Sequence, residues 1–103
     1  VWCDMDTEGG GWTVVQRRGS QSSGRDDFFR DWADYKWGFG QLEADHWIGN
    51  EHIHQLTSSG DYVLRIELED WAEERRWATY EHFYLTGETT NYTLHIGDYH
   101  GTA

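Results

Sequence analysis

The stretch 61–85 constrains the fold more than any other part of this 103-residue chain. Its apolar residues fall on alternate positions: Tyr62, Leu64, Ile66 and Leu68. The residues between them include three charges: Arg65, Glu67 and Glu69. Since side chains alternate across a strand, this spacing predicts a β-strand with one apolar face and one charged face. At helical spacing the charges would interrupt any apolar stripe, so a helix is disfavoured.

A single strand of this kind is not expected to be stable alone. Burying each apolar side chain contributes roughly 1.5–3 kcal/mol, whereas fixing the backbone costs roughly 1–2 kcal/mol per residue. The strand therefore needs paired neighbours and a layer beneath its apolar face. A second strand is predicted at 76–85, and the polar residues 72–75 suit the turn between the two. We expect an antiparallel hairpin with one face on a core.

Further strands are predicted on both sides of this hairpin. Their positions are 1–5, 12–18 and 91–96. A glycine-rich turn at 6–11 joins the first two, and a flexible loop is predicted at 19–25. In the last strand the alternation places three side chains inward: Tyr92, Leu94 and Ile96.

Two short helices complete the predicted architecture. The first lies within 26–40 and ends at Gly38 and Gly40. The second spans 47–57, where Ile53 and Leu56 form the buried pair. Together the elements predict an α+β fold, an antiparallel β-sheet with short flanking helices.

The length, composition and charge of the chain limit the classes of protein to which it can belong. A chain of 103 residues suits one small domain, and its aromatic content of 17% argues against disorder. The formal net charge of −11 repels phosphate backbones and anionic lipid, so nucleic acid and membranes are not expected partners. No apolar run approaches the length of a membrane span, so membrane insertion is not expected.

Two sequence patterns, an acidic turn and a pair of histidines, resemble parts of metal-binding motifs, but neither predicts a metal site. Asp4, Asp6 and Glu8 have the spacing that opens an EF-hand calcium loop, but its twelfth position should be Glu and is Val15. A solvated turn is the better interpretation. His52 and His54 are two apart, which on a helix puts them on opposite sides. We therefore expect no metal or cofactor site within these residues.

Catalysis is not indicated either. The chain has no His-Glu-x-x-His and no Gly-x-Ser-x-Gly sequence, and no spacing singles out a nucleophile or a base. The glycines at 9–11 are not followed by the Gly-Lys-Ser/Thr of a phosphate-binding loop. We expect no enzyme activity and no catalytic residues.

The single cysteine, Cys3, allows two interpretations. It is either a buried thiol or half of a disulfide whose partner lies outside this sequence.

Asn91, Tyr92 and Thr93 form an N-glycosylation sequon just after a polar loop, where an acceptor would be accessible. Asn91 is therefore a candidate glycosylation site, and the sequon favours a secreted protein.

Motifs spread along the whole chain carry a family resemblance. In the first half they are Val1-Trp2-Cys3-Asp4-Met5-Asp6-Thr7, Gly9-Gly10-Gly11-Trp12-Thr13-Val14, Gln16-Arg17-Arg18, Phe29-Arg30-Asp31-Trp32, Asp34-Tyr35-Lys36, Gly38-Phe39-Gly40 and Trp47-Ile48-Gly49-Asn50-Glu51. In the second half they are Ile53-His54, Leu56-Thr57, Leu64-Arg65, Leu68-Glu69-Asp70, Tyr80, Phe83, Gly97-Asp98-Tyr99 and Gly101-Thr102-Ala103. In this order they resemble the fibrinogen C-terminal domain, also called the fibrinogen-related domain.

The resemblance implies that residues 1–103 are the N-terminal part of one such domain, cut at both ends. It implies that Cys3 pairs with a cysteine upstream, and that the calcium loop and the ligand-binding residues lie downstream, outside this chain. Calcium is therefore expected in the full domain only. Since such a sheet packs against the rest of its domain, these 103 residues alone should expose apolar surface.

The resemblance also implies a secreted, extracellular recognition module. One hypothesis is a lectin-like domain similar to ficolins and tachylectins, which bind acetylated sugars in innate defence. The other is an adhesive or signalling module like those of tenascin, angiopoietin-like proteins or fibrinogen, which meets a protein receptor or the matrix. Members of both groups are typically oligomers in the full-length protein, and the sequence does not choose between them.

Overall fold

The computed structural model describes residues 2–19 and 27–103. The chain divides into two compact units, Val1–Ile53 and His54–Ala103. Of the loop predicted at 19–25, residues 20–25 lie outside the described part of the chain. Within the described residues, no helix is long and apolar enough to cross a membrane.

Among its described residues, the first unit contains five short strands in two small sheets. The strands are β1 (Trp2–Asp4), β2 (Trp12–Val14), β3 (Gln16–Arg17), β4 (Phe39–Gly40) and β5 (His46–Trp47). β1 pairs antiparallel with β2, while β5 lies between β3 and β4 and pairs antiparallel with both. The single strand predicted at 12–18 is therefore two strands with different partners. Val15 separates them, and its carbonyl accepts a hydrogen bond from the Ile48 N–H at 2.8 Å.

Both predicted helices are present. α1 (Trp32–Trp37) begins after Asp31, whose carboxylate accepts the Asp34 N–H at 2.9 Å and so caps the free amides of the first turn. It ends at Gly38, as predicted, where φ is 99°. α2 (Asn50–Thr57) begins three residues later than predicted because Trp47 belongs to β5. Ile53 is fully buried as predicted, whereas Leu56 is only half-buried.

The second unit contains the predicted hairpin. β6 (Leu64–Glu69) pairs antiparallel with β7 (Arg75–Tyr80), and β10 (Tyr99–Gly101) pairs with the other edge of β7. The turn is braced by Asp70, whose Oδ1 accepts the N–H groups of Ala72 at 2.9 Å and Glu74 at 3.0 Å. The antiparallel hairpin is confirmed, with its turn at residues 70–74.

Two of the predicted strands are shorter than expected, because left-handed residues interrupt them. The strand predicted at 76–85 breaks at His82, where φ is 55°, and continues only as β8 (Tyr84–Leu85). The strand predicted at 91–96 is reduced to β9 (Leu94–His95), which pairs with β8, because Asn91 and Tyr92 have φ values of 59° and 49°. Extended alternation requires negative φ throughout.

This interruption also decides which side chains are buried. Tyr92 is buried, as predicted. The prediction that Leu94 and Ile96 lie inward is wrong, since they are 54% and 45% exposed. The buried residues of this unit share an origin in α2, β7, β8 and the loops that flank β8: Thr57, Ala78, Phe83, Leu85 and Tyr92.

The apolar face of the hairpin is only partly covered. Tyr62 and Leu64 are half-buried, but Ile66 and Leu68 are 38% and 57% exposed. The prediction that this face lies on a core therefore fails for Ile66 and Leu68, whereas the expectation that these 103 residues alone expose apolar surface is confirmed. Periodicity fixes the face on which a side chain lies, whereas burial also needs a second layer, which the described residues do not supply here.

Two glycines allow a close backbone approach in the first unit. A Cβ atom on Gly49 would lie 2.7 Å from the Trp37 carbonyl carbon and 2.8 Å from its oxygen. A Cβ atom on Gly38 would collide with the Ile48 carbonyl in the same way. Both residues also have positive φ, 116° and 99°. The end of α1 and the segment before α2 therefore touch through backbone atoms.

We predict that Gly49→Ala lowers the free energy of unfolding by roughly 2–5 kcal/mol, the sum of left-handed strain and overpacking. Urea unfolding of the purified protein measures this change. Gly9→Ala is the matched control, since Gly9 has φ 88° but nothing within 4 Å of its added Cβ. Its loss should be limited to roughly 1–2 kcal/mol from the backbone alone. Equal losses at the two positions would contradict the close approach.

Candidate functional site

The turn that resembles a calcium loop is closed on itself. Asp4 Oδ1 accepts the N–H groups of Asp6 at 2.9 Å and Thr7 at 3.0 Å, and Asp4 Oδ2 accepts the Thr7 hydroxyl at 2.7 Å. The Trp12 indole N–H donates to the Thr7 carbonyl at 2.8 Å. The Thr7 hydrogen bonds lower the pKa of Asp4 from 3.8 to about 2. Asp4 thus caps a turn within a hairpin, which is the solvated turn that the sequence favours.

The two histidines weighed as metal ligands have separate roles. His52 makes an edge contact with the Trp37 ring, with centroids 6.3 Å apart. The His54 Nδ1–H donates to the Leu85 carbonyl at 2.9 Å. In residues 2–19 and 27–103, no group of three or more His, Cys, Asp or Glu side chains could hold a metal ion. Calcium therefore has no fitting donor set in the described residues.

One buried polar pair has no counterpart in the sequence predictions. Asp45 and His46 are each 1% exposed. Asp45 Oδ1 accepts the Gly19 N–H at 3.0 Å, and the His46 Nδ1–H donates to the Ala44 carbonyl at 3.0 Å. His46 lies in β5, between β3 and β4, and Asp45 immediately precedes this strand. Nothing in the local sequence distinguishes them from solvent-facing polar residues.

An exposed ion pair lies in the second unit. His82 Nδ1 is 2.9 Å from Asp61 Oδ1, and both side chains are mostly exposed. The hydrogen bond to Asp61, followed by its negative charge, raises the pKa of His82 above its usual range. Because solvent screens this pair, it is a surface interaction and not a poised acid or base.

Cys3 lies in β1 opposite Thr13, and its side chain is exposed. The interpretation as a buried thiol is therefore wrong. An exposed cysteine on an outer segment can be reached by a partner, so the disulfide to an upstream cysteine stays a prediction.

Asn91 is exposed at the end of a 3₁₀ turn, Glu88–Thr90. Its glycosylation also stays a prediction at this point.

A feature that could meet another surface lies on the sheet formed by β10, β7 and β6. Ile66, Leu68 and Tyr99 are 38%, 57% and 46% exposed, and we call these three residues the open face. The register places them on one side, since Leu64 is opposite Tyr80, Tyr80 is opposite Tyr99, and side chains alternate. Several exposed apolar side chains on one side of a sheet are typical of a surface that meets another surface.

The opposite side of the same sheet is charged, and its Arg65 is largely covered. The Arg65 guanidinium lies over the Trp77 ring, 4.8 Å from its centroid, and only 12% of the Arg65 side chain is exposed. Arg65 Nε is 3.7 Å from Glu67 Oε2. A stacked and charge-compensated arginine is stable at such a site. The charged side therefore buries its arginine better than the apolar side buries Leu68.

A second exposed apolar group stands at the tip of the hairpin. Trp71 is 91% exposed, in the turn that Asp70 braces. The sequence predictions give Trp71 no role, and its position two residues after a strand of alternating apolar and charged residues was the available signal.

Both units contain antiparallel strands and short helical segments, the second exposes apolar side chains on the sheet of β10, β7 and β6, and the described residues contain no metal-binding cluster. A family model described as "Fibrinogen beta and gamma chains, C-terminal globular domain" matches residues 1–103. The chain belongs to this family, and the resemblance stated from its motifs is confirmed.

Three relatives illustrate the likeness. Over 103 residues the chain is 50% identical to Angiopoietin-2 of Canis lupus familiaris and 47% identical to Techylectin-5A of Tachypleus tridentatus. It covers 20% and 35% of those two proteins, with 100% of its own length matched in both cases. The fibrinogen-like globe domain of human ANGPTL2 superimposes with a TM-score of 0.94 at 45% identity, covering 100% of this chain and 46% of that one. The α+β fold is confirmed.

We predict that the Asp4 carboxyl titrates near pH 2 in the folded protein, against 3.8 for an unperturbed group. Because its folded pKa is depressed, Asp4 stabilises the fold above pH 3.8, and this contribution is lost as the pH falls toward 2. Thr7→Ala removes the largest cause and should move the pKa back toward 3.8. An NMR pH titration of the Asp4 side chain measures both values. Thr89→Ala, at an exposed threonine elsewhere, should leave the titration unchanged.

Proposed function

We propose that residues 1–103 are part of one larger fibrinogen-related domain, and that the rest of that domain covers the open face. The chain spans 46% of the solved ANGPTL2 globe domain while matching that structure along its whole own length. The exposure of Ile66, Leu68 and Tyr99 on one side of the sheet supports the proposal, because the apolar side of an antiparallel sheet ordinarily packs on a core. We place the calcium site and the ligand pocket of the full domain outside these residues.

The full domain, we propose, is a secreted, non-enzymatic recognition module that binds acetylated glycans in innate defence. The observation that carries this proposal is the 47% identity to Techylectin-5A, which its name describes as a lectin. The acidic net charge of −11 also suits a neutral sugar ligand better than an anionic one. In the full-length protein such modules would be joined as oligomers, which raises avidity for repeated sugars.

A second candidate is an adhesive or signalling module that binds a protein receptor or the matrix. The 50% identity to Angiopoietin-2 favours it, since that relative belongs to the signalling group. The exposure of Trp71 on a braced turn also favours it, because tryptophan is enriched among the residues that dominate protein interfaces.

We predict that Leu68→Ser reduces self-association of the isolated 103-residue chain, because it removes apolar area from the open face. Analytical ultracentrifugation at several concentrations measures the change. Val63→Ser is the matched control, because Val63 is 45% exposed but lies outside β6. In the full domain, where Leu68 would be covered, Leu68→Ser should instead lower the free energy of unfolding by roughly 2–5 kcal/mol, like other losses of a buried leucine. An unchanged stability of the full domain would contradict the proposed cover.

Calorimetric titration tests the function itself. We predict that the 103-residue chain binds neither calcium nor an acetylated monosaccharide, because calcium needs six to eight oxygens in one place and a sugar needs a pocket. The full-length protein should bind the sugar with a Kd of about 1 mM or tighter, roughly −4 kcal/mol. Saturable binding by the short chain would show that the site is placed wrongly. If the full-length protein does not bind the sugar but binds a protein receptor, the result would favour the second candidate, an adhesive or signalling module.

A further inference from the structure

The sequon at residues 91–93 folds into a braced loop. The Asn91 N–H donates to the Glu88 carbonyl at 2.9 Å and closes the 3₁₀ turn Glu88–Thr90. Thr93 is tied back twice: its N–H donates to the Thr86 hydroxyl at 2.9 Å, and its own hydroxyl donates to the Thr90 carbonyl at 2.6 Å. The backbone of this loop is therefore held by its own hydrogen bonds and does not need the Asn91 side chain.

The acceptor Asn91 is exposed, while the residue that follows it is buried. Tyr92, the middle residue of the sequon, is 6% exposed and is part of the core of the second unit. Asn91 itself is exposed and has φ 59°, in the left-handed region that asparagine tolerates at the end of a turn. A large group attached to Asn91 would therefore displace no buried contact, and Tyr92 would stay packed beneath it.

We propose that Asn91 carries an N-linked glycan in the secreted protein. This inference depends on the extracellular location proposed above, because the donor is a lipid-linked oligosaccharide diphosphate met in the secretory pathway. In the reaction the Asn91 amide nitrogen forms a bond to C1 of the first sugar. The bond from C1 to the diphosphate oxygen breaks, the lipid diphosphate leaves, and the amide loses one proton.

The chain contains an internal comparison for this site. Its other asparagine, Asn50, is followed by Glu51 and His52, so it has no hydroxyl at the second following position. Asn50 is also the first residue of α2, and its side-chain oxygen accepts the Trp47 indole N–H at 3.0 Å. The two asparagines differ in both features on which modification depends, the Thr at the third sequon position and a free exposed side chain.

The test uses the full-length protein secreted by cultured animal cells. Its peptides are mapped by mass spectrometry after treatment with an N-glycosidase in water enriched in heavy oxygen, which converts a glycosylated Asn to Asp carrying the label. The expected result is label at Asn91 and none at Asn50. Secreted protein with an unlabelled Asn91 would overturn the glycan while leaving the proposed location intact. Protein that never leaves the cell would overturn both proposals.

Three variants separate the glycan from the fold. Asn91→Gly removes the acceptor amide at a position where φ 59° suits glycine, so the loop should still form. Thr93→Ser keeps both the sequon and a hydroxyl for the Thr90 carbonyl, whereas Thr93→Ala loses both. On a denaturing gel, Asn91→Gly and Thr93→Ala should migrate faster than the parent protein, and Thr93→Ser should keep a slow-migrating fraction. Parent and Asn91→Gly proteins of equal mobility would overturn the proposal.

Discussion

The second unit depends on the pairing of β7 along both of its edges. A strand between two others has nearly all of its backbone N–H and C=O groups bonded, which a buried backbone requires. The register with β6 and β10 then fixes every side chain, because a slip of one residue would move each of them to the other face. Ala78 lies opposite Ile66 on one side and Gly101 on the other, and it is 5% exposed. The open face and the charged face are both consequences of this register.

The alternation in residues 64–69 predicted the strand and its two faces, and the structure contains both. It could not predict how much of each face is buried, because burial depends on residues far away in the sequence. Arg65 shows the difference: its side chain is 12% exposed because Trp77, on the neighbouring strand, lies against the guanidinium. Leu68, on the apolar face, is 57% exposed. The periodicity of the sequence shows on which face a side chain lies, whereas its burial depends on tertiary contacts that a single strand does not contain.

Strand ends were the other failure, and they have one physical cause. His82, Asn91 and Tyr92 all have positive φ, although none is glycine. Such a backbone costs roughly 1–2 kcal/mol per residue, so sequence patterns do not lead one to expect it. For Tyr92 the cost is offset by placing the ring in the core, where it is 6% exposed. A tyrosine in an alternating sequence resembles a strand residue whether its backbone is extended or left-handed, and only the packing distinguishes these two conformations.

The turn at Asp4 could be predicted from the sequence, whereas the burial of Asp45 and His46 could not. At Asp4 the interaction is local, since the carboxylate bonds to residues two and three positions away, and local hydrogen bonds leave a sequence signature. Asp45 bonds to Gly19, so its partner lies far along the chain. The same distinction applies to function. Leu68 is 57% exposed and so gains only part of the hydrophobic stabilisation of a buried leucine, yet its backbone is ordered at a cost of roughly 1–2 kcal/mol. Cover of the open face by the rest of a larger domain, as proposed above, would add the hydrophobic stabilisation that the described residues leave unrealised at this face.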